Sequence, residues 1–225
     1  MPEAPPRSEH LDAAEAEKFR AEAAKAAAES EIAMHSATIR RLEAEKAERQ
    51  RAEELAGDKY HHVYRFHGEV NSNSVKGCMS QLDVWDRLDP ECEVKIVFNS
   101  PGGSVVDGMA LWDYLVGFRK THTLYTHAEG MAASMAGILL QAGDVRSMGA
   151  ESYLLIHEVS AGIMGSFGDI EDRVKWIEMV QDRILSIFAN RSKLSKATLK
   201  RRWKRKDWWL ASDESLKLGF VDEVS

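Results

Sequence analysis

The first 56 residues contain no glycine, and the chain changes character where Gly57 appears. Before that point Ala, Glu, Lys and Arg dominate. After it, glycines, aromatics and β-branched residues enter. The break divides the chain into a charged, Ala/Glu-rich helical extension, residues 1–57, and a globular domain, residues 58–225. From Leu11 to Leu55 the residues are strong helix formers that lose little side-chain freedom in a helix. Glu15 and Lys18, Glu17 and Arg20, Glu22 and Lys25, and Glu45 and Arg49 are spaced to bring opposite charges onto one helical face. The apolar seam is thin: Phe19, Ile32, Ile39 and Leu42, with alanines between. A solvated or partly disordered helix, a coiled coil or partner-binding helix, and a removable propeptide all fit this pattern.

Hydrophobic residues make up 44% of the 225 and charged residues 29%, as in a globular protein. The net charge of −6 argues against a nucleic-acid binder, which carries a basic excess. Cys78 and Cys92 form no C-x-x-C pair, and no His/Cys cluster surrounds them in sequence. That excludes a recognisable structural zinc motif and points to two reduced cysteines, with a disulfide or redox role as the alternative. The N-terminus lacks the apolar core of a signal peptide. The most apolar stretch, Met131 to Leu140, is too short to span a bilayer. The expected location is the cytoplasm, with no membrane partner and no metal or other cofactor.

Beyond residue 57 the pattern alternates. Strands are expected at Val63–Val70, Val94–Phe98, Thr121–His127 and Tyr153–Val159. Helices are expected at Asn73–Leu88, Val105–Phe118, Gly130–Ala142 and Ile170–Asn190, with Ser195 capping one more. Repeated strand–helix order implies an α/β domain with its chemistry in loops beyond strand ends.

Four segments could carry that chemistry. In Gly130-Met131-Ala132-Ala133-Ser134-Met135-Ala136-Gly137, small residues permit a sharp turn and a serine opens a helix, beside free N–H groups and the positive end of the dipole. An ordinary N-cap serine reads the same way. In Ser100-Pro101-Gly102-Gly103-Ser104, two glycines after a buried strand can aim N–H groups outward as an oxyanion hole requires, or simply turn the chain. His157 emerges from an apolar run where a general base is well placed, although a lone histidine is more often structural. The glycines that follow it, at 162, 165 and 168, suit an extended segment able to pair with a peptide backbone, or any exposed loop. Asp207, flanked by Trp208 and Trp209, could be shielded from water and orient a histidine, or pair with one of Arg201, Arg202, Lys204, Arg205 and Lys206.

The order of these segments resembles the Clp protease proteolytic subunit family. The carrying residues are Val97-Phe98-Asn99-Ser100-Pro101-Gly102-Gly103, Gly130 to Ala136, Leu155-Ile156-His157, Lys206-Asp207-Trp208-Trp209-Leu210-Ala211 and Lys217 to Val224. The resemblance covers roughly Val63 to Val224. It implies a ClpP/crotonase-like α/β fold of strand-strand-helix units with a protruding handle helix, here Ile170 to Asn190, where rings of subunits meet. It also implies a serine endopeptidase with Ser134 as nucleophile, His157 as base and Asp207 as orienting acid. Gly103 and Met135 would be the oxyanion donors. An extended peptide would lie between Ser104-Val105-Val106 and Val159-Ser160-Ala161-Gly162-Ile163. The implied partners are peptide or unfolded-protein substrates, copies of the chain in a ring, and an ATPase unfoldase.

Two departures qualify that picture. A long charged helix stands where family members carry short axial loops that meet the unfoldase. Glu158 and Val159 follow the histidine where cellular enzymes usually have Gln-Pro. Together with Trp209-Leu210-Ala211, these resemble the subgroup encoded by bacteriophages and prophages. That subgroup is associated with processing of head proteins, which makes capsid or scaffold protein an alternative partner. A catalytically silent oligomeric scaffold and an acyl-CoA enzyme of the wider fold are the readings from other classes.

Overall fold

The computed structural model describes residues 9–162 and 164–225. The chain forms two compact units, residues 1–57 and 58–225. In the first, helix α1 (Glu9–Ala56) runs for 48 residues, a length of about 72 Å at 1.5 Å per residue. From residue 13 onward its side chains are exposed except for half-buried Ser36 and Leu55, and no apolar face emerges. The ion pairs that form differ from those expected from spacing: Lys25 meets Glu29 at 4.0 Å and Arg41 meets Glu45 at 3.4 Å. Exposed pairs of this kind contribute only a few tenths of a kcal/mol each.

The second unit is built on a seven-stranded sheet. Strands β1 (Val63–His67), β2 (Val94–Ser100), β3 (Leu124–Ala133), β4 (Val145–Met148) and β7 (Glu223–Val224) lie in the order β1-β2-β3-β4-β7, all parallel. Helix α2 (Ser72–Leu88) starts at a capping box. Asn71 Oδ1 accepts from the Asn73 and Ser74 amides, and Ser74 Oγ accepts from the Asn71 amide. It buries Val75, Cys78, Leu82 and Trp85, one helical stripe. Helix α3 (Val105–Phe118) buries Leu111, Leu115 and Phe118 in the same way. Phe66, Ile96, Phe98 and Leu124 of the sheet close the core with them.

Strand β3 is longer than its β-branched start predicts, and this displaces the next helix. A helix was expected from Gly130. Instead the strand continues through Gly130, whose φ of +81° suits glycine, to Ala133. Its first half pairs with β2 and β4. Its last three residues pair with β5 (Tyr153–Ile156), Met131 opposite Tyr153 and Ala133 opposite Leu155. The alanines stay extended because 132 and 133 are buried between neighbours, and tertiary pairing overrides their helical preference. Helix α4 (Met135–Leu140) therefore begins only after Ser134. Strand β6 (Trp208–Ala211) adds antiparallel to β5, Ile156 opposite Trp208.

Helix α5 (Phe167–Asn190) opens at Ser166 and Asp169, three residues before the expected Ile170. Only its C-terminal part is buried, through Ile184, Leu185 and Phe188. Phe167, Ile170 and Val174 are exposed along one stripe. Helices α6 (Lys196–Trp203) and α7 (Ser212–Leu218) complete the unit. Near the C-terminus, buried Arg146 on β4 binds Asp222 through Nε at 2.9 Å and Nη2 at 2.6 Å. Its Nη1 donates to Gln141 Oε1 and to the Gly219 and Phe220 carbonyls.

Candidate active site

Four chain segments meet where β2, β3 and β5 end. The Pro101–Ser104 turn leaves β2, and Gly102 and Gly103 both take positive φ, +90° and +149°. Val70 binds this turn like a short parallel strand. Its amide donates to Gly102 O at 2.8 Å, and its carbonyl accepts from Ser104 N at 2.7 Å. Those two bonds straddle Gly103, so the Gly103 N–H faces away from Val70 and, among the described residues, has no acceptor. A Cβ on Gly103 would run into the Val70 carbonyl, so the position demands glycine.

Ser134 occupies the turn from β3 to α4 with φ 54° and ψ −121°. A non-glycine residue pays for such a conformation, and strain of this sort concentrates at functional sites. The Ser134 amide donates to Leu155 O at 3.0 Å, which fixes the turn against β5. Its hydroxyl caps nothing. Ser134 thus stands at the N-cap position of α4 without making the side-chain bond of an ordinary N-cap serine: its backbone is held in a sharp strand-to-helix turn, although the G-x-S-x-G spelling is absent. The Met135 N–H at the start of α4 has no acceptor among the described residues. The Met135 side chain turns inward, 1% exposed, into the space left by Gly108 on α3.

His157 follows the last residue of β5 and is half-buried. Ser134, His157, Gly103 and Met135 line one small cleft of about 50 Å³. Val105, Val159 and Ser160 line it too. Gly103 and Met135, whose N–H groups have no acceptor among the described residues, thus share a cleft with a serine and a histidine, the residue types needed to attack a carbonyl and hold its oxygen.

Not every expected residue reaches the cleft. Ser104, Val106, Ala161 and Gly162 do not line it. Ser104 Oγ instead accepts from the Asp107 amide as the cap of α3, and Val106 is exposed. Ile163 lies outside the described residues. Asp207 sits one step beyond the Ile156–Trp208 pair, so the antiparallel register sets it opposite His157. It is exposed, contrary to the shielding expected from its tryptophans: Trp208 packs on Phe220 and under Arg202, and Trp209 is half-exposed. No hydrogen bond joins Ser134, His157 and Asp207 side chains among the described residues. Such bonds often tighten only when substrate is bound.

Glu158 also lines the cleft; in the sequence it stood out only as a departure from the family's usual Gln, not as a site residue. Its Oε2 accepts from the Arg205 amide at 2.9 Å, tying the approach to Asp207 to the residue after His157. Ile138, Ile156, Ile184 and Phe188 form the apolar floor, and only their hydrophobic periodicity marked them. The sequence also showed no cluster around the cysteines. The structure brings His62, Asp89 and Cys92 together, with one potential ligand atom of each within 4.8 Å of the others. Spacing hid this because His62 is remote in the chain from the other two.

Gly102 gives this geometry its tightest constraint. A Cβ there would lie 2.6 Å from Ala133 O, 2.6 Å from Ser134 Cβ and 2.9 Å from Met135 N. Gly102→Ala is expected to cost roughly 3 kcal/mol in denaturant unfolding, from positive φ and overpacking together. It should also push the Pro101–Ser104 turn away from Ser134.

Residues 53–225 match the family model described as Clp protease. A relative from Deinococcus radiodurans, named ATP-dependent Clp protease proteolytic subunit, is 32% identical over 157 residues, 69% of this chain and 76% of that protein. Proteins of the same name from Bacteroides fragilis and Bacteroides thetaiotaomicron are each 31% identical over 160 residues. These cover 69% of this chain, and 75% and 70% of the respective proteins.

Proposed function

Because the chain belongs to the Clp protease family, whose members are serine endopeptidases, we propose that it hydrolyses peptide bonds through Ser134, His157 and Asp207. The observation that carries this reading is the forced backbone of Ser134, in one cleft with His157 and with Gly103 and Met135, whose amides have no partner among the described residues. His157 takes the hydroxyl proton as Ser134 Oγ attacks the scissile carbonyl. The Gly103 and Met135 N–H groups receive the oxyanion. His157 then protonates the leaving amine, and water releases the acyl-enzyme by the same route in reverse. Asp207 orients the imidazole once the β5–β6 ends close. The substrate lies extended between Ser104–Val106 and Val159–Ile163, adding as a strand.

Residues 58–225 are the peptidase domain and residues 1–57 its helical extension. Copies of the chain assemble as a cytoplasmic ring, and the exposed stripe of Phe167, Ile170 and Val174 on α5 supports that assembly. The ring admits small or unfolded substrates, delivered by an ATPase unfoldase. One observation favours a second reading, in which a virion-assembly protease cleaves head proteins without an unfoldase: the 48-residue α1 replaces short axial loops.

The test is labelling with a fluorophosphonate probe. The wild type is expected to label, and Ser134→Ala and His157→Ala to lose the label. A well-folded, assembled oligomer that takes no label would overturn the peptidase reading in favour of a scaffold. Acceleration of protein degradation by an added unfoldase separates the ring protease from the virion one.

A further inference from the structure

We propose that His62, Asp89 and Cys92 form a structural zinc site that clips the N-terminal ends of β1 and β2 together. His62 directly precedes β1, Asp89 is the C-cap of α2, and Cys92 lies two residues before β2. The backbone holds all three in place. Lys95 N donates to His62 O at 3.0 Å, Asp89 N to Trp85 O at 2.8 Å and Cys92 N to Asp89 O at 3.2 Å.

The potential ligand atoms lie within 4.8 Å of one another, and His62 Nε2 is 3.9 Å from Asp89 Oδ2. Zinc bond lengths near 2.0–2.3 Å in a tetrahedron put ligand atoms about 3.3–3.8 Å apart. Small side-chain rotations therefore close the site. Imidazole, thiolate and carboxylate suit zinc, whereas calcium and magnesium take oxygen ligands.

The surroundings fit the same reading. The Trp85 ring stands edge-on to His62 at 5.4 Å, and its Nε1 donates to Lys59 O at 3.1 Å, which walls one side. Asp89 is exposed, so the opposite side admits the ion and a water as fourth ligand. The two turns that bring the ligands together contain left-handed non-glycine residues, His62 at φ 52° and Glu91 at φ 71°. Strain at both turns is what a clip would hold. Binding of the cation releases the Cys92 thiol proton, since the thiolate is the ligand.

The site is at the end of the parallel strands opposite the cleft, which lies beyond their C-terminal ends. Its role is stability, and peptidase turnover should not depend on it.

The experiment is titration of the full-length, metal-free protein with Zn²⁺ by calorimetry and with Co²⁺ by absorption. One ion per chain is expected, with a thiolate-to-cobalt charge-transfer band and a raised Tm. Cys92→Ser should abolish the band. His62→Ala and Asp89→Asn should each weaken zinc binding by about 100-fold or more, beyond what loss of an outer-shell partner costs. Cys78→Ala should leave the band, since Cys78 is fully buried on α2. No band in the wild type, or a band that survives Cys92→Ser, overturns the proposal. If Cys92→Ser does not fold, unchanged affinity in Asp89→Asn, whose side chain is exposed, overturns it equally.

Discussion

Ser134→Ala, His157→Ala and the double variant are expected to fall to one common residual rate on a fluorogenic peptide, on the order of 10⁴–10⁶ below wild type in kcat. The losses do not add, because hydroxyl and imidazole act as one unit. Once either is gone, the other has nothing to do. In the proposed mechanism, the rate that remains is what the Gly103 and Met135 amides and substrate binding supply without a nucleophile. KM should change little. Asp207→Asn should cost less, because Asp207 is exposed and its proposed role is carried out through His157. Single-turnover kinetics with an active-site titrant checks this. A double variant much slower than either single one would mean that Ser134 and His157 contribute separately, against the proposed proton transfer.

The second large effect is on stability. Arg146→Met is expected to lower unfolding free energy by about 3 kcal/mol, and Tm by roughly 10 °C for a domain of this size. The Arg146 side chain is 7% exposed, and its loss strands Asp222, Gln141 and the Gly219 and Phe220 carbonyls together. The value sits at the lower end for broken buried pairs because Asp222 is 41% exposed and water screens it in part. Burial pushes the Asp222 carboxyl up, but the Arg146 hydrogen bonds and charge outweigh it and hold it below its ordinary value. Stability from a depressed carboxyl is present above its unfolded value, about 3.9, and is lost as pH falls through the folded one. The gap between wild type and Arg146→Met should therefore be full at neutral pH and narrow below about pH 4. Denaturant curves across that range would show it.

Much of this architecture was legible because strong periodic signals and tertiary packing agree. The Val94–Phe98 run, the α2 and α3 stripes and the break at Gly57 all read directly. Where they disagree, the sequence misled. Met131-Ala132-Ala133 carries helix-forming side chains, yet pairing with β5 holds it extended, and no local signal announces a partner some twenty residues downstream. The short strands β4 and β7 have too few residues to show alternation. Asp207 was expected to be shielded because two tryptophans flank it. Both tryptophans follow it in the chain and, as successive strand residues, point to opposite faces, Trp208 packing on Phe220 and Trp209 left half-exposed, so neither covers the acid. Glu158 was read as a family departure and not as a site residue because its partner is a backbone amide, and backbone amides have no letter in a sequence.

That last point extends to Met135. Its side chain fills a notch over Gly108 in the core, while the residue also lines the cleft and its N–H has no acceptor among the described residues. One residue thus answers to two selective pressures that never meet in the same atom. The amide is indifferent to which apolar side chain is attached, and the notch is indifferent to chemistry. Drift at 135 should be free among residues that fit, constrained jointly with 108, and invisible to any assay of turnover. A substitution profile would file the position under packing and miss the donor role proposed for it.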